Sequence, residues 1–104
     1  MNNWRKIFSW NTSAGNLEVG EKVRVIATLE ELDEFMEVWE SITVSAEEGT
    51  VVKILPSSLS SEGYVAVKFT GIDFQDSAFE FLRRRSYIIV SFPSQNWQRF
   101  LERV

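Results

Sequence analysis

The sequence contains no cysteine and no histidine. Without cysteine, the chain forms no disulfide and offers neither a thiolate nucleophile nor a Cys-type zinc or iron–sulfur site. Without histidine, it lacks the commonest general base near neutral pH and the commonest metal ligand, which excludes a Ser-His-Asp or Cys-His triad within this chain. We therefore expect a protein that is not an enzyme and holds neither a cofactor nor a metal ion. Carboxylate-only chemistry stays open, but no motif indicates it.

Long apolar runs are also missing. No segment approaches the roughly 18–20 apolar residues of a membrane helix, and the first residues, MNNWRKIFSW, contain no apolar run typical of a signal peptide. We therefore expect a cytoplasmic protein with no membrane contact. Positively charged residues are in the minority: the sequence contains 11 Lys and Arg and 15 Asp and Glu, which gives a net charge of −4. This balance disfavours non-specific binding to nucleic acid.

Apolar and aromatic side chains are plentiful, at 44% and 13% of 104 residues, which suffices for the core of one domain. Alternating and β-branched stretches predict four strands, KVRVIA, TVVKIL, YVAVKFT and YIIVSF, of which the second and third form a hairpin. We assign residues 1–19 to an N-terminal docking segment, residues 20–92 to a β-rich body with a helical insertion at 29–41, and residues 94–104 to a C-terminal helix.

The stretch from Leu29 to Ser41 interrupts the strands and has the apolar spacing of one continuous helix. Thr28 and Glu31 have capping-box spacing at its start. The stretch from Ile42 to Val44 is β-branched and predicts a short strand after the helix. The apolar stripe of the helix, which we expect to face the core, consists of Leu29, Leu32, Phe35, Met36 and Trp39.

This predicted helix is strongly acidic. No Lys or Arg occurs from Ile26 through Val52, so the acids have no local counter-charge. Two interpretations stay open: a solvated face that aids solubility, or a patch that steers and binds a basic partner. On the second interpretation, the candidate partner-binding residues are Glu30, Glu31, Asp33, Glu34, Glu37, Glu40 and Trp39.

A basic cluster, Arg83, Arg84 and Arg85, ends a short predicted helix that begins near Phe79, where cations complement the helix dipole. We expect this cluster either to pair with the acidic helix or to form a second patch for an acidic protein or a phosphate. After Pro93, apolar residues recur with helical spacing and predict the C-terminal helix.

Two architectures fit this order of elements. The first is a small SH3-like barrel, mostly β, with the acidic helix in its first long loop and a C-terminal helix. The second is an α+β ferredoxin-like βαββαβ sandwich. We favour the barrel, because ESITVSAEEG separates Trp39 from Thr50, whereas a helix leads into its next strand within roughly 2–6 residues in such a sandwich.

Three phrases, VGEKVRV, EGTVVKI and YVAVKF, resemble the SH3-like barrels of photosynthetic accessory subunits, such as the variable chain of ferredoxin–thioredoxin reductase and a small accessory subunit of photosystem I. The resemblance spans about residues 19–70. It implies a non-catalytic module that docks on a larger protein. The acidic helix and the C-terminal helix depart from the pattern of those barrels.

A second resemblance, to RNA-recognition sandwiches, is carried by GYVAVKF at 63–69, which looks like their central aromatic strand. Glu62 stands where that motif has a basic residue.

Our main hypothesis is a non-enzymatic protein-interaction module, an accessory subunit or a small inhibitor, that binds a basic surface of a larger protein through helix 29–41. The alternative is a small barrel that binds nucleic acid through Arg83–Arg85 and aromatic side chains, a partner we do not expect. The oligomeric state stays open.

Overall fold

The described part of the chain is built around a five-stranded antiparallel sheet and two short α-helices. The computed structural model describes residues 13–14, 17–59, 62–74 and 79–104. In chain order, the elements are β1 (Ser13–Ala14), β2 (Leu17–Glu18), β3 (Lys22–Val25), α1 (Leu29–Asp33), α2 (Val38–Val44), β4 (Glu48–Leu55), β5 (Tyr64–Thr70), the 3-10 helix η1 (Glu80–Arg84), β6 (Tyr87–Pro93), the 3-10 helix η2 (Trp97–Arg99) and β7 (Leu101–Arg103).

The sheet has five strands in the order β6-β5-β4-β3-β7, and β1 and β2 form a separate small hairpin. Strands β3 to β6 follow one another as antiparallel neighbours, while β7 returns to pair with β3. The four strands predicted from KVRVIA, TVVKIL, YVAVKFT and YIIVSF are confirmed, as is the β4–β5 hairpin. The hairpin register shifts between Val51 and Lys53, a bulge of the kind that increases local twist.

The ferredoxin-like sandwich is wrong for this sheet. In its split βαβ units, the two strands joined by a helix run parallel to each other, and a third strand lies between them. Here β3 and β4 are instead antiparallel neighbours in the sheet order β6-β5-β4-β3-β7. The helices α1 and α2 return the chain to β4, which pairs directly with the strand that precedes them.

The predicted C-terminal helix at 94–104 is also wrong. Trp97 begins a 3-10 turn, and the chain then becomes strand β7, in which Leu101 pairs with Val25 and Arg103 with Val23. Strand β3 would otherwise present one unpaired edge, and this pairing satisfies its backbone groups. The apolar spacing that predicts a helix holds for only part of the segment, since Val104 is 63% exposed.

The predicted continuous helix at 29–41 is two helices, α1 and α2, separated by residues 34–37. Thr28 caps α1 as predicted. The Thr28 hydroxyl accepts a hydrogen bond from the Glu31 backbone N–H at 3.2 Å, and the Thr28 backbone N–H donates to the Glu31 carboxylate at 3.1 Å. A single helix would hold like charges three and four residues apart along its acidic face, which destabilises it. Leu29, assigned to the core stripe, is 46% exposed.

The predicted strand at Ile42–Val44 is the second half of α2. Ser41 and Val44, three residues apart, are both fully buried, so tertiary packing overrides the β-propensity of these residues. The Thr43 hydroxyl donates to the Trp39 carbonyl one turn earlier, at 2.6 Å, a bond that suits a β-branched residue inside a helix.

The core lies between the sheet, α1, α2 and the two 3-10 turns. Its largest fully buried side chains include Phe69 and Phe92, and Leu17 joins them from the N-terminal hairpin. Residues 1–12, 15 and 16 of the predicted docking segment lie outside the described residues. None of the described helices is long and apolar enough to cross a membrane.

Candidate functional site

One half-open cleft, which we call the acidic cleft, lies where three connections of the chain meet. These are the α1–α2 connection, the β4–β5 loop and the β6–β7 connection. The cleft has a volume of about 260 Å³. It is lined by Glu34, Phe35, Ser57, Glu62, Gly63, Pro93, Gln95, Asn96, Arg99 and Phe100.

Aromatic packing positions the first wall of the acidic cleft. The Phe35 ring lies edge-on to Phe100, with the ring centroids 4.7 Å apart, and edge-on to Phe92 at 5.9 Å. Such pairs stabilise a contact beyond the area they bury. Phe35 follows directly after Glu34, so this packing fixes the end of α1 beside the cleft.

Backbone and hydroxyl hydrogen bonds position the opposite wall. The Gly63 N–H donates to the Ser57 hydroxyl at 3.3 Å, and the Ser94 N–H donates to the Gly63 carbonyl at 3.3 Å. The Ser57 and Ser94 hydroxyls are themselves 3.1 Å apart. A Cβ on Gly63 would lie 1.9 Å from the carbonyl oxygen of Leu55, so only glycine fits here. Glu62, the neighbour of this glycine, is therefore placed by a tightly constrained backbone.

The charge of the cleft is mixed but predominantly negative, because its lining contains two carboxylates, Glu34 and Glu62, and one cation, Arg99. That cation is engaged within the fold: its guanidinium lies 3.7 Å from the Glu31 carboxylate and 5.5 Å from the centroid of the Phe100 ring. The two carboxylates come from loops 28 residues apart in the chain, 34 to 62, and sequence order alone does not indicate that they meet.

The fold lowers the pKa of the Glu31 carboxylate below its ordinary value. The hydrogen bond from the Thr28 backbone N–H lowers the pKa of Glu31, the Thr28 hydroxyl adds to this, and Arg99 contributes less. Hydrogen bonds that favour the charged form act in this direction. This carboxylate therefore serves the start of α1 and an internal ion pair.

The six predicted acidic binding residues divide into two groups. Glu31, Glu37 and Glu40 make contacts inside the fold: Glu40 accepts from the Glu37 backbone N–H at 3.1 Å, and Glu37 accepts from the Trp39 indole N–H. The acids that remain exposed on α1 and at its end are Glu30, Asp33 and Glu34. The structure places Glu34 alone of the six in the wall of the acidic cleft.

Trp39 lies elsewhere, on α2, where it lines a cleft together with Arg85 of the predicted arginine cluster and with residues of η1 and β6. The Trp39 ring packs edge-on against Phe81, with the ring centroids 5.0 Å apart. Arg84, Arg85 and Tyr87 line the adjoining clefts. Within the described residues, neither Arg84 nor Arg85 forms an ion pair with an acid of α1 or α2, so the predicted pairing with the acidic helix is not seen for these two residues.

Sequence reasoning missed Glu62, Arg99 and Phe100 as members of the cleft. In the sequence, Glu62 is notable only as a departure from an RNA-binding motif, and Phe100 falls within the predicted C-terminal helix. Only the pairing of β7 with β3 brings the β6–β7 connection beside α1. Among the described residues, no group of three or more acidic side chains is placed to hold a metal ion.

Comparison with protein-family models, curated proteins and solved structures finds no match for this chain.

Proposed function

We propose that this protein is a non-enzymatic interaction module that binds a basic segment of a larger protein in the acidic cleft. The observation that carries the proposal is the position of Glu34 and Glu62 on one cleft whose wall also contains the Phe35 and Phe100 rings. Carboxylates bind Arg and Lys side chains by charge-assisted hydrogen bonds, and aromatic faces attract the same cations.

Arg99 illustrates how this part of the molecule holds a guanidinium. It lies between the Glu31 carboxylate and the Phe100 ring, at the edge of the same cleft. A partner arginine beside Glu34 or Glu62 would find the same two chemical groups, a carboxylate and an aromatic face. The partner chemistry is therefore that of a basic peptide segment.

The exposed acids Glu30 and Asp33 extend negative charge from the cleft along α1. We assign them a steering role, because exposed charges affect the rate of encounter more than the affinity. Glu31, Glu37 and Glu40 support the helices by their internal hydrogen bonds, so we remove them from the set of direct partner contacts.

The proposal is tested by selecting a phage-displayed library of short random peptides on the immobilised protein. We expect the selected peptides that occupy the cleft to be rich in Arg and Lys. The double charge reversal Glu34→Lys and Glu62→Lys should weaken their binding by about tenfold or more, since two favourable charge pairs become repulsive.

A matched control reverses two acids away from the cleft, Glu18→Lys and Glu47→Lys, and produces the same change in net charge. This control should keep most of the affinity. An equal loss in both variants would show that overall charge, and not the cleft, attracts the peptides. Selected peptides without enrichment in Arg or Lys would also contradict the proposal.

We also propose that the sheet closes as an SH3-like barrel. Supporting observations are the strand order β6-β5-β4-β3-β7, the long helical connection after β3, and the short 3-10 turn η2 before the last strand. A crystal structure in which the two ends of the sheet pack across Phe69 and Phe92 would agree, and a single open layer would not. The role of accessory subunit or small inhibitor and the cytoplasmic location are parts of the same proposal.

A further inference from the structure

A second exposed surface, the basic aromatic patch, is formed by α2, η1 and the start of β6. We define it by Trp39, Phe81, Arg84, Arg85, Tyr87 and Ile89. The proposed function does not use it, since none of these residues lines the acidic cleft. Here Trp39 lines a cleft together with Arg85, one of the three arginines of the predicted basic cluster.

The patch exposes large apolar side chains next to one another. Phe81 is 50% exposed, Tyr87 44% and Ile89 48%. Tyr87 lines two adjoining clefts, of about 410 Å³ with Phe81 and about 310 Å³ with Trp39 and Ile89. Clusters of exposed apolar side chains bordered by polar groups mark interaction sites, and Trp, Tyr and Arg are the residue types enriched at binding hot spots.

The charge beside these apolar side chains is positive. Arg85 lines both clefts, and Arg84 lines the larger one. Lys68 adds a third cation, with its ammonium 4.6 Å from the centroid of the Tyr87 ring. An acid, Glu80, lines a neighbouring cleft with Phe81 and Arg84. In a chain of net charge −4, this local excess of positive charge is complementary to an acidic partner.

We propose that the basic aromatic patch binds an acidic protein segment that inserts an apolar side chain between Tyr87 and Trp39. The apolar anchor would fill the cleft lined by Trp39, Tyr87 and Ile89, while Asp or Glu residues beside it would contact Arg84 and Arg85. Such an arrangement of a buried anchor with a charged rim is the usual composition of a protein interface.

A protein partner fits the patch better than nucleic acid. Strong binding to a phosphate backbone needs many cations along a groove. Here Arg84 and Arg85 accompany an aliphatic side chain, Ile89, and the protein as a whole is acidic. Nucleic acid is therefore kept as an outcome of the test.

The experiment selects the same kind of random peptide library on the wild-type protein and removes peptides that still bind the double variant Arg84→Glu and Arg85→Glu. We expect the remaining peptides to combine Asp or Glu with one large apolar residue. Their affinity should fall by about tenfold or more in the double variant. The control, Lys22→Glu and Lys53→Glu, makes the same change in net charge on β3 and β4 and should keep the affinity.

Two further results decide the matter. Replacing the anchor site by Tyr87→Ser should weaken the acidic peptides and leave the basic peptides of the acidic cleft unaffected, which separates this proposal from the proposed function. The proposal is overturned if no peptide depends on Arg84 and Arg85, if the dependent peptides lack acidic residues, or if fluorescence anisotropy shows that an oligothymidylate binds the patch and displaces the peptides.

Discussion

The two halves of the acidic segment, α1 and α2, are attached to different parts of the molecule. The end of α1 is held by Phe35 against Phe100, and by the Glu31–Arg99 ion pair, so it belongs to the β6–β7 connection. The second half, α2, is held by Trp39 against Phe81 and belongs to η1. One stretch of similar composition therefore contributes to two surfaces of opposite charge.

Each half therefore packs where its aromatic ring has a partner ring: Phe35 against Phe100, and Trp39 against Phe81. A straight helix would place Phe35 and Trp39 on one side, one turn apart. The break at residues 34–37 lets each ring reach a separate aromatic partner. The acidic side chains then lie either in the helix caps or on the exposed face of the helices.

The largest expected effect comes from a substitution in the wall of the acidic cleft. Gly63→Ala should destabilise the protein by about 3 kcal/mol, because the new methyl group would collide with the Leu55 carbonyl and the Pro56 backbone. Chemical denaturation measures the loss. It should be accompanied by weaker binding of basic peptides, since Gly63 lines the cleft.

Gly71→Ala is the matched control for this substitution. Gly71 has a positive φ, 76°, but nothing lies within 4 Å of an added Cβ. We expect a cost of about 1 kcal/mol from backbone strain alone. Equal losses for the two variants would mean that the close approach of the chain at Gly63 does not exist in solution.

A smaller loss of stability is expected when the aromatic residue that attaches each half, Phe35 for α1 or Trp39 for α2, is replaced by alanine. Phe35→Ala should cost about 2–3 kcal/mol, because this half-buried ring packs on two core rings. Trp39→Ala should cost about 1–2 kcal/mol, because its ring partner Phe81 is itself half-exposed. The two free energies of unfolding, measured with urea, test the comparison directly, and a larger cost for Trp39 would reverse it.

The smallest expected effect concerns pH. The folded state lowers the pKa of Glu31 below its usual value of 4.5, so its charged form stabilises the fold at neutral pH. Glu31→Gln keeps an acceptor for the Thr28 N–H but removes the charge. The wild type should be the more stable of the two at pH 7, and this advantage should be lost as the pH falls below 4.5, through the lowered pKa of Glu31 in the folded state. An advantage that does not change with pH would contradict the assignment.

Local patterns in the sequence predict the strands and the Thr28–Glu31 cap, because alternation and capping depend on near neighbours. They do not predict the ends of the helices or strand β7. Residues 97–101 have apolar spacing that fits a helix equally well, and the free edge of β3 decides between the two structures. Likewise, Glu34 is visible as an acidic candidate, but Glu62 becomes one only when two distant loops meet. The arginine cluster and Trp39 are each visible, whereas their proximity depends on the Phe81 contact.

The most direct test of the two-helix arrangement is backbone and side-chain NMR of the labelled protein. The arrangement predicts helical carbon shifts at 29–33 and 38–44 and a non-helical shift at Glu37, whose backbone is extended with φ −70° and ψ 152°. It also predicts nuclear Overhauser effects between the Phe35 and Phe100 rings and between the Trp39 and Phe81 rings. Uninterrupted helical shifts from 29 to 41, without the contact between Trp39 and Phe81, would contradict it.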